Sequence, residues 1–82
     1  MAIGYRQFLA DLPSTVVCES CLRTSVNVEW RVSSVRDLEW FAVGFAKCER
    51  CSWLKIAAAG TTDQAKSQAD QVRVRFMVAL GL

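Results

Sequence analysis

Histidine is absent from this chain of 82 residues. Its absence removes the commonest general base near neutral pH and the usual third ligand of catalytic zinc. No Gly-rich phosphate loop occurs, and no Ser or Cys has a base that the sequence identifies beside it. These gaps argue against an enzyme and against a small-molecule substrate. Asp37, Glu39 and Glu49 then read as surface charge rather than as a catalytic carboxylate pair.

Long apolar runs are missing too. No stretch reaches the roughly 18 consecutive apolar residues that suggest a membrane span. The first twelve residues are interrupted by Arg6, Gln7 and Asp11 and lack a signal-peptide core, so a cytoplasmic, reducing location is expected. Charge of one sign is also scarce. Ten Lys and Arg stand against eight Asp and Glu, a net +2 with no run of like charges. Such a balance is too mild to signal nucleic acid by itself.

What is present is apolar: 52% of the residues, enough to exclude disorder for most of the chain. The length fits a single domain, 1–82, with no room for two cores. A chain this short buries only about 60% of its unfolded surface, so a metal or a partner often adds stability.

The pattern along the chain predicts an α+β fold. A short N-terminal helix is expected over 3–12, where Ile3, Phe8, Leu9 and Leu12 share a face before Pro13 ends it. Ser14-Thr15 reads as a connection into Val16-Val17. Val26, Val28, Trp30 and Val32 alternate with polar residues and predict a half-buried strand, followed by a hairpin loop over 33–37. The returning strand, 38–47, is apolar on both parities and needs cover on both faces. Leu38, Trp40, Ala42 and Ala46 lie on one, and Phe41, Val43 and Phe45 on the other. Gly44 in its middle marks a bulge or a close approach. A third strand is expected over 52–58, completing a three-stranded antiparallel sheet. The last segment reads as a helix over 62–80 or as an alternating strand over 72–80. Thr61 as N-cap, Gln64 as its capping-box partner and Gly81 as terminator favour the helix. Ala65, Ala69, Val72, Phe76 and Leu80 would then form its buried face.

The chemistry lies in four cysteines. Cys18-Glu19-Ser20-Cys21 and Cys48-Glu49-Arg50-Cys51 are two CxxC pairs separated by 26 residues. Two intervening residues let a tight turn aim both sulfurs at one ion, and two such turns complete a tetrahedron. The long hairpin between them would leave one pair and return to the other.

Two CxxC knuckles joined by a β-hairpin resemble the zinc-ribbon superfamily over about 16–58. Trp53 after the second knuckle, then Gly60-Thr61 and an alanine-rich helix, are similar to small bacterial and phage zinc-binding proteins. The resemblance implies one structural Zn2+ held by Cys18, Cys21, Cys48 and Cys51, and a location in the cytoplasm or, for a phage protein, in the virion. Ribbons often carry Gly after each knuckle, where this chain has Leu22 and Ser52. Transcription elongation ribbons carry an acidic pair at the hairpin tip, where this chain has Arg36-Asp37. Two disulfides, or a rubredoxin-like iron site for electron transfer, would use the same four residues. A thioredoxin-like redox pair needs a βαβ frame that the pattern lacks.

Two binding roles follow. One is a protein-interaction or assembly subunit, by self-association or within a phage particle or polymerase-associated assembly. Its partner surface would be Trp40, Phe41, Val43, Phe45 and Trp53, unless the two helices cover both sheet faces themselves. The alternative is nucleic-acid binding, with Trp30 or Trp40 stacking on bases and Arg31, Arg36, Arg50 and Lys55 on phosphates. The acidic Glu29, Asp37, Glu39 and Glu49 lie among those arginines and oppose it.

Overall fold

A computed structural model describes residues 4–22, 25–37 and 39–81. Its elements are α1 (Tyr5–Asp11), β1 (Thr15–Val16), β2 (Val26–Arg36), β3 (Glu39–Lys47), β4 (Leu54–Gly60) and α2 (Asp63–Ala79). The strands form one sheet in the order β1-β2-β3-β4, with every neighbouring pair antiparallel.

The alternation in β2 does what a half-buried strand requires. Val26, Val28, Trp30 and Val32 are buried or half-buried, while Asn27, Glu29, Arg31 and Ser33 between them are exposed. On β3 both parities are covered, by different means. Phe41, Val43 and Phe45 lie beneath α2 with Ile56 and Ala58 of β4. Ala65 and Ala69 of the helix are fully buried there, and their small side chains let the helix axis come close to the sheet. Val72 and Met77 widen the contact, and Phe76 meets Phe45 edge to face at 5.0 Å. Full burial of residues such as Val43 and Ile56 contributes about 1.5–3 kcal/mol each.

Ala42, Gly44 and Ala46 face the opposite side, where they pair in register with Val32, Trp30 and Val28. Cover here comes from the chain's own N-terminal part. Phe8 of α1 is buried, Tyr5 packs on Trp40 at 5.3 Å, and the Trp30 indole N–H donates to the Pro13 carbonyl at 2.8 Å. Both faces of β3 are therefore occupied within one chain.

The tail is the helix of the two readings, and its cap is shifted by one residue from the expected Thr61. Thr62 is the N-cap, its hydroxyl accepting from the Ala65 N–H at 3.1 Å. Thr61 instead continues the strand pairing: its hydroxyl accepts from the Trp40 N–H and donates to the Trp40 carbonyl. Gly60 permits the sharp entry into α2, since a Cβ there would lie 2.7 Å from the Ala65 carbonyl carbon. Gly81, at φ +75°, ends the helix as expected.

Two further expectations are corrected, and of the two readings of Gly44 one holds. The sheet has four strands rather than three, because the residues read as a connection into Val16-Val17 include a two-residue strand, β1, on β2. The segment read as a hairpin loop belongs mostly to β2, which runs to Arg36 with an irregularity between Ser34 and Arg36. Gly44 marks a close approach, with the ladder regular on either side of it. Ile3 and Leu38, at the starts of the expected N-terminal helix and second strand, lie outside the described residues.

Candidate metal centre

Each cysteine pair follows a strand, and β2 brings the two pairs together. Val28 pairs with Ala46 near the end of β3, and Cys48 follows one residue beyond that strand. On the other side of β2, Val16 pairs with Val26, and Cys18 follows two residues later. The short β1 is thus what carries the first knuckle to the second.

The four Sγ atoms all lie within 4.8 Å of one another. Cys18 and Cys51 sulfurs are 3.4 Å apart, and those of Cys21 and Cys48 are 3.6 Å apart. Four sulfurs bound at about 2.3 Å to one ion would stand about 3.8 Å from each other in a tetrahedron. The cluster has the size such an ion needs. No disulfide joins any two of the four. Thiolates are soft donors that suit zinc or iron, and four of them close the coordination sphere to water and substrate.

Burial divides the site into an inner and an outer half. Cys18 and Cys48, the first residue of each knuckle, are buried with Val26 and Ala46, against Val16, Val28 and Trp53. Cys21 is exposed and Cys51 is intermediate. Backbone amides serve the sulfurs: the Cys21 N–H donates to Cys18 Sγ at 3.4 Å. At Cys48 the Arg50 N–H is the largest influence, pulling the thiol from its ordinary 9.0 to about 6. Burial opposes that pull, while the Cys51 N–H and the thiols of Cys21 and Cys51 assist it. A ligand poised as thiolate near neutral pH binds a metal without first losing a proton.

The knuckles differ in strain. Leu22, where ribbons often have Gly, has φ +62° and is the sole non-glycine residue with positive φ among those described. Its N–H closes the turn on the Cys18 carbonyl at 2.8 Å. Ser52 does not enter that region. The amide influence on Cys48, the apolar wall around Cys18 and the left-handed backbone at Leu22 had no signal in residue spacing.

The five residues expected at a partner surface separate into three places. Phe41, Val43 and Phe45 come together under α2. Trp40 lies on the opposite face against Tyr5, and Trp53 packs beside the cysteines. The large apolar side chains left exposed include Leu22 and a run on α2 and its cap: Val74, Phe76, Val78 and Leu80. Of the residues considered for nucleic acid, Trp30 is engaged with Pro13, and Arg36 with Glu39 and Gln64. Among the described residues no helix is long and apolar enough to cross a membrane.

Comparison with known proteins leaves the site to its own chemistry. No protein-family model, no curated protein and no solved structure matches the chain.

Proposed function

We propose that this protein is a non-catalytic, zinc-ribbon-like module in which Cys18, Cys21, Cys48 and Cys51 hold one Zn2+, and that the folded module acts in the cytoplasm by binding protein. The observation that carries the metal reading is the four-sulfur cluster, closed, half-buried and of tetrahedral size. In small zinc peptides such a site supplies about 10–16 kcal/mol of apparent binding energy, which becomes folding energy. The small buried core, built largely of alanine, valine and cysteine, makes that contribution decisive here. Binding of protein is supported by the apolar side chains left in solvent on the last turns of α2 and at its cap.

Native mass spectrometry of freshly purified protein tests the metal. One zinc per chain is the expected result. One iron per chain would transfer the same four ligands to a rubredoxin-like electron carrier. A metal-free chain lighter by four hydrogens would mean two disulfides and would remove the proposal.

A further inference from the structure

The sheet ends on β4. β4 is last in the strand order, and among the described residues none pairs with its far side. Natural edges are protected by shortness, proline, bulges, charged side chains (lysine above all) or a covering element, and on β4 Lys55 is the sole such device. β4 reads Leu54-Lys55-Ile56-Ala57-Ala58-Ala59-Gly60, with no proline, one charge and a ladder to β3 that is regular through all seven residues. Three successive alanines leave little side chain to keep another strand away. The other end of the sheet differs, because β1 is only two residues long.

The neighbouring helix shows what can lie alongside. Arg36 Nη2 donates to Gln64 Oε1 at 2.7 Å, which turns that side of α2 toward β2. Helical spacing then sends Lys66, Asp70 and Arg73 to the opposite side, toward the outer edge of β4. Asp70 and Arg73 form a loose pair there at 3.5 Å, and Lys66 lies one turn before Asp70. An antiparallel copy of this helix side offers Asp70 a Lys66 or an Arg73 from the other chain.

We propose that β4 pairs with β4 of a second copy of this chain, antiparallel about a two-fold axis at Ala57, joining two sheets into one of eight strands. This register uses all seven residues, setting Leu54 opposite Gly60, Lys55 opposite Ala59 and Ile56 opposite Ala58 of the other copy. A two-fold contact is self-complementary by construction, so one edge suffices. The spacing is consistent with it. α2 lies over β3 and β4, and strands are about 4.8 Å apart. Two such helices across the axis then stand about 10 Å apart, the ordinary distance of packed helices. This inference names the partner within the protein-binding role and rests on that reading. The metal site lies beyond the Leu54 end of β4, so a substitution on β4 leaves the four ligands in place.

The test is sedimentation equilibrium of the zinc-loaded full chain, with native mass spectrometry of the same samples for zinc content. Wild type is expected to be a dimer of the 9.1 kDa chain. Ala59→Lys sets one lysine opposite each Lys55 across the axis, and about a tenfold weaker dimer is expected. Ala59→Glu sets opposite charges there and should dimerise at least as well as wild type. Hydrogen exchange on wild type serves if the variants fail to fold: protection of β4 amides should rise with protein concentration. A wild type that stays monomeric up to millimolar concentration overturns the proposal. So does a dimer indifferent to both substitutions, or β4 protection independent of concentration. A dimer without zinc would sink the metal reading and leave this one standing.

Discussion

Trp30 and Gly44 are directly paired across β2 and β3, and the indole ring occupies the space that a side chain on residue 44 would need. A Cβ there would lie 2.9 Å from the ring and 2.8 Å from Val28 Cγ1. The ring cannot easily swing aside, because its N–H is held by the Pro13 carbonyl. Gly44→Ala should therefore cost about 1–3 kcal/mol in chemical denaturation of the zinc-loaded protein. In a double-mutant cycle with Trp30→Leu the penalty should shrink, since the smaller side chain frees the space. Equal penalties in both backgrounds would mean that the ring is not what excludes the methyl group.

Removal of the metal should unfold most of the protein. A chelator at neutral pH is expected to abolish the cooperative thermal transition seen by circular dichroism, and added zinc to restore it. The burial pattern ranks the ligands. Cys48→Ser places a poor ligand in a dry site and should lose both zinc and fold. Cys21→Ser opens an exposed corner, where water can complete the tetrahedron, and should keep zinc with lower affinity. Native circular dichroism and an unchanged melting temperature in Cys48→Ser would refute the structural role.

The first knuckle is strained and can be relieved. A left-handed conformation costs a residue with a Cβ about 1–2 kcal/mol. Leu22 is 73% exposed, so little packing is lost with its side chain. Leu22→Gly should stabilise the zinc-loaded protein by about 1 kcal/mol, after some loss to the greater freedom of unfolded glycine. Ser52→Gly, at the matching place in the second knuckle, should give no gain because its backbone is ordinary there.

Much of this was legible in the residues, and the gaps have identifiable causes. Period-two alternation in 25–33 and the two-sided apolar pattern of 38–47 announced β2 and β3, because burial of one face or both writes itself into hydropathy. Thr-capping and the closing Gly81 announced α2 to within a residue. β1 was invisible: two residues carry no period, and Thr15-Val16 is a strand only because β2 offers it an edge. The longer β2 was missed because Ser33 and Ser34 suggest a turn, whereas pairing with Phe41 and Trp40 holds them extended. Spacing alone nominated the four cysteines. It could not divide them into buried and exposed, which depends on Val16, Val26 and Trp53 arriving from three separate segments.

The pH dependence of the metal-free chain tests which force governs Cys48. Burial alone would raise this thiol and make the fold weaker as pH rises. The Arg50 and Cys51 amides and the neighbouring thiols instead hold it at about 6, against an ordinary 9.0. An acid whose folded value is depressed stabilises the fold through its ionised form. That contribution is complete above pH 9 and is lost as pH falls toward 6. With chelator present, the small folded fraction measured by circular dichroism should therefore grow between pH 6 and 9. In Cys48→Ser the same measurement should be flatter across this window. A folded fraction that shrinks with rising pH in the wild type would show that burial outweighs the amides, and that zinc must displace a proton from Cys48 after all.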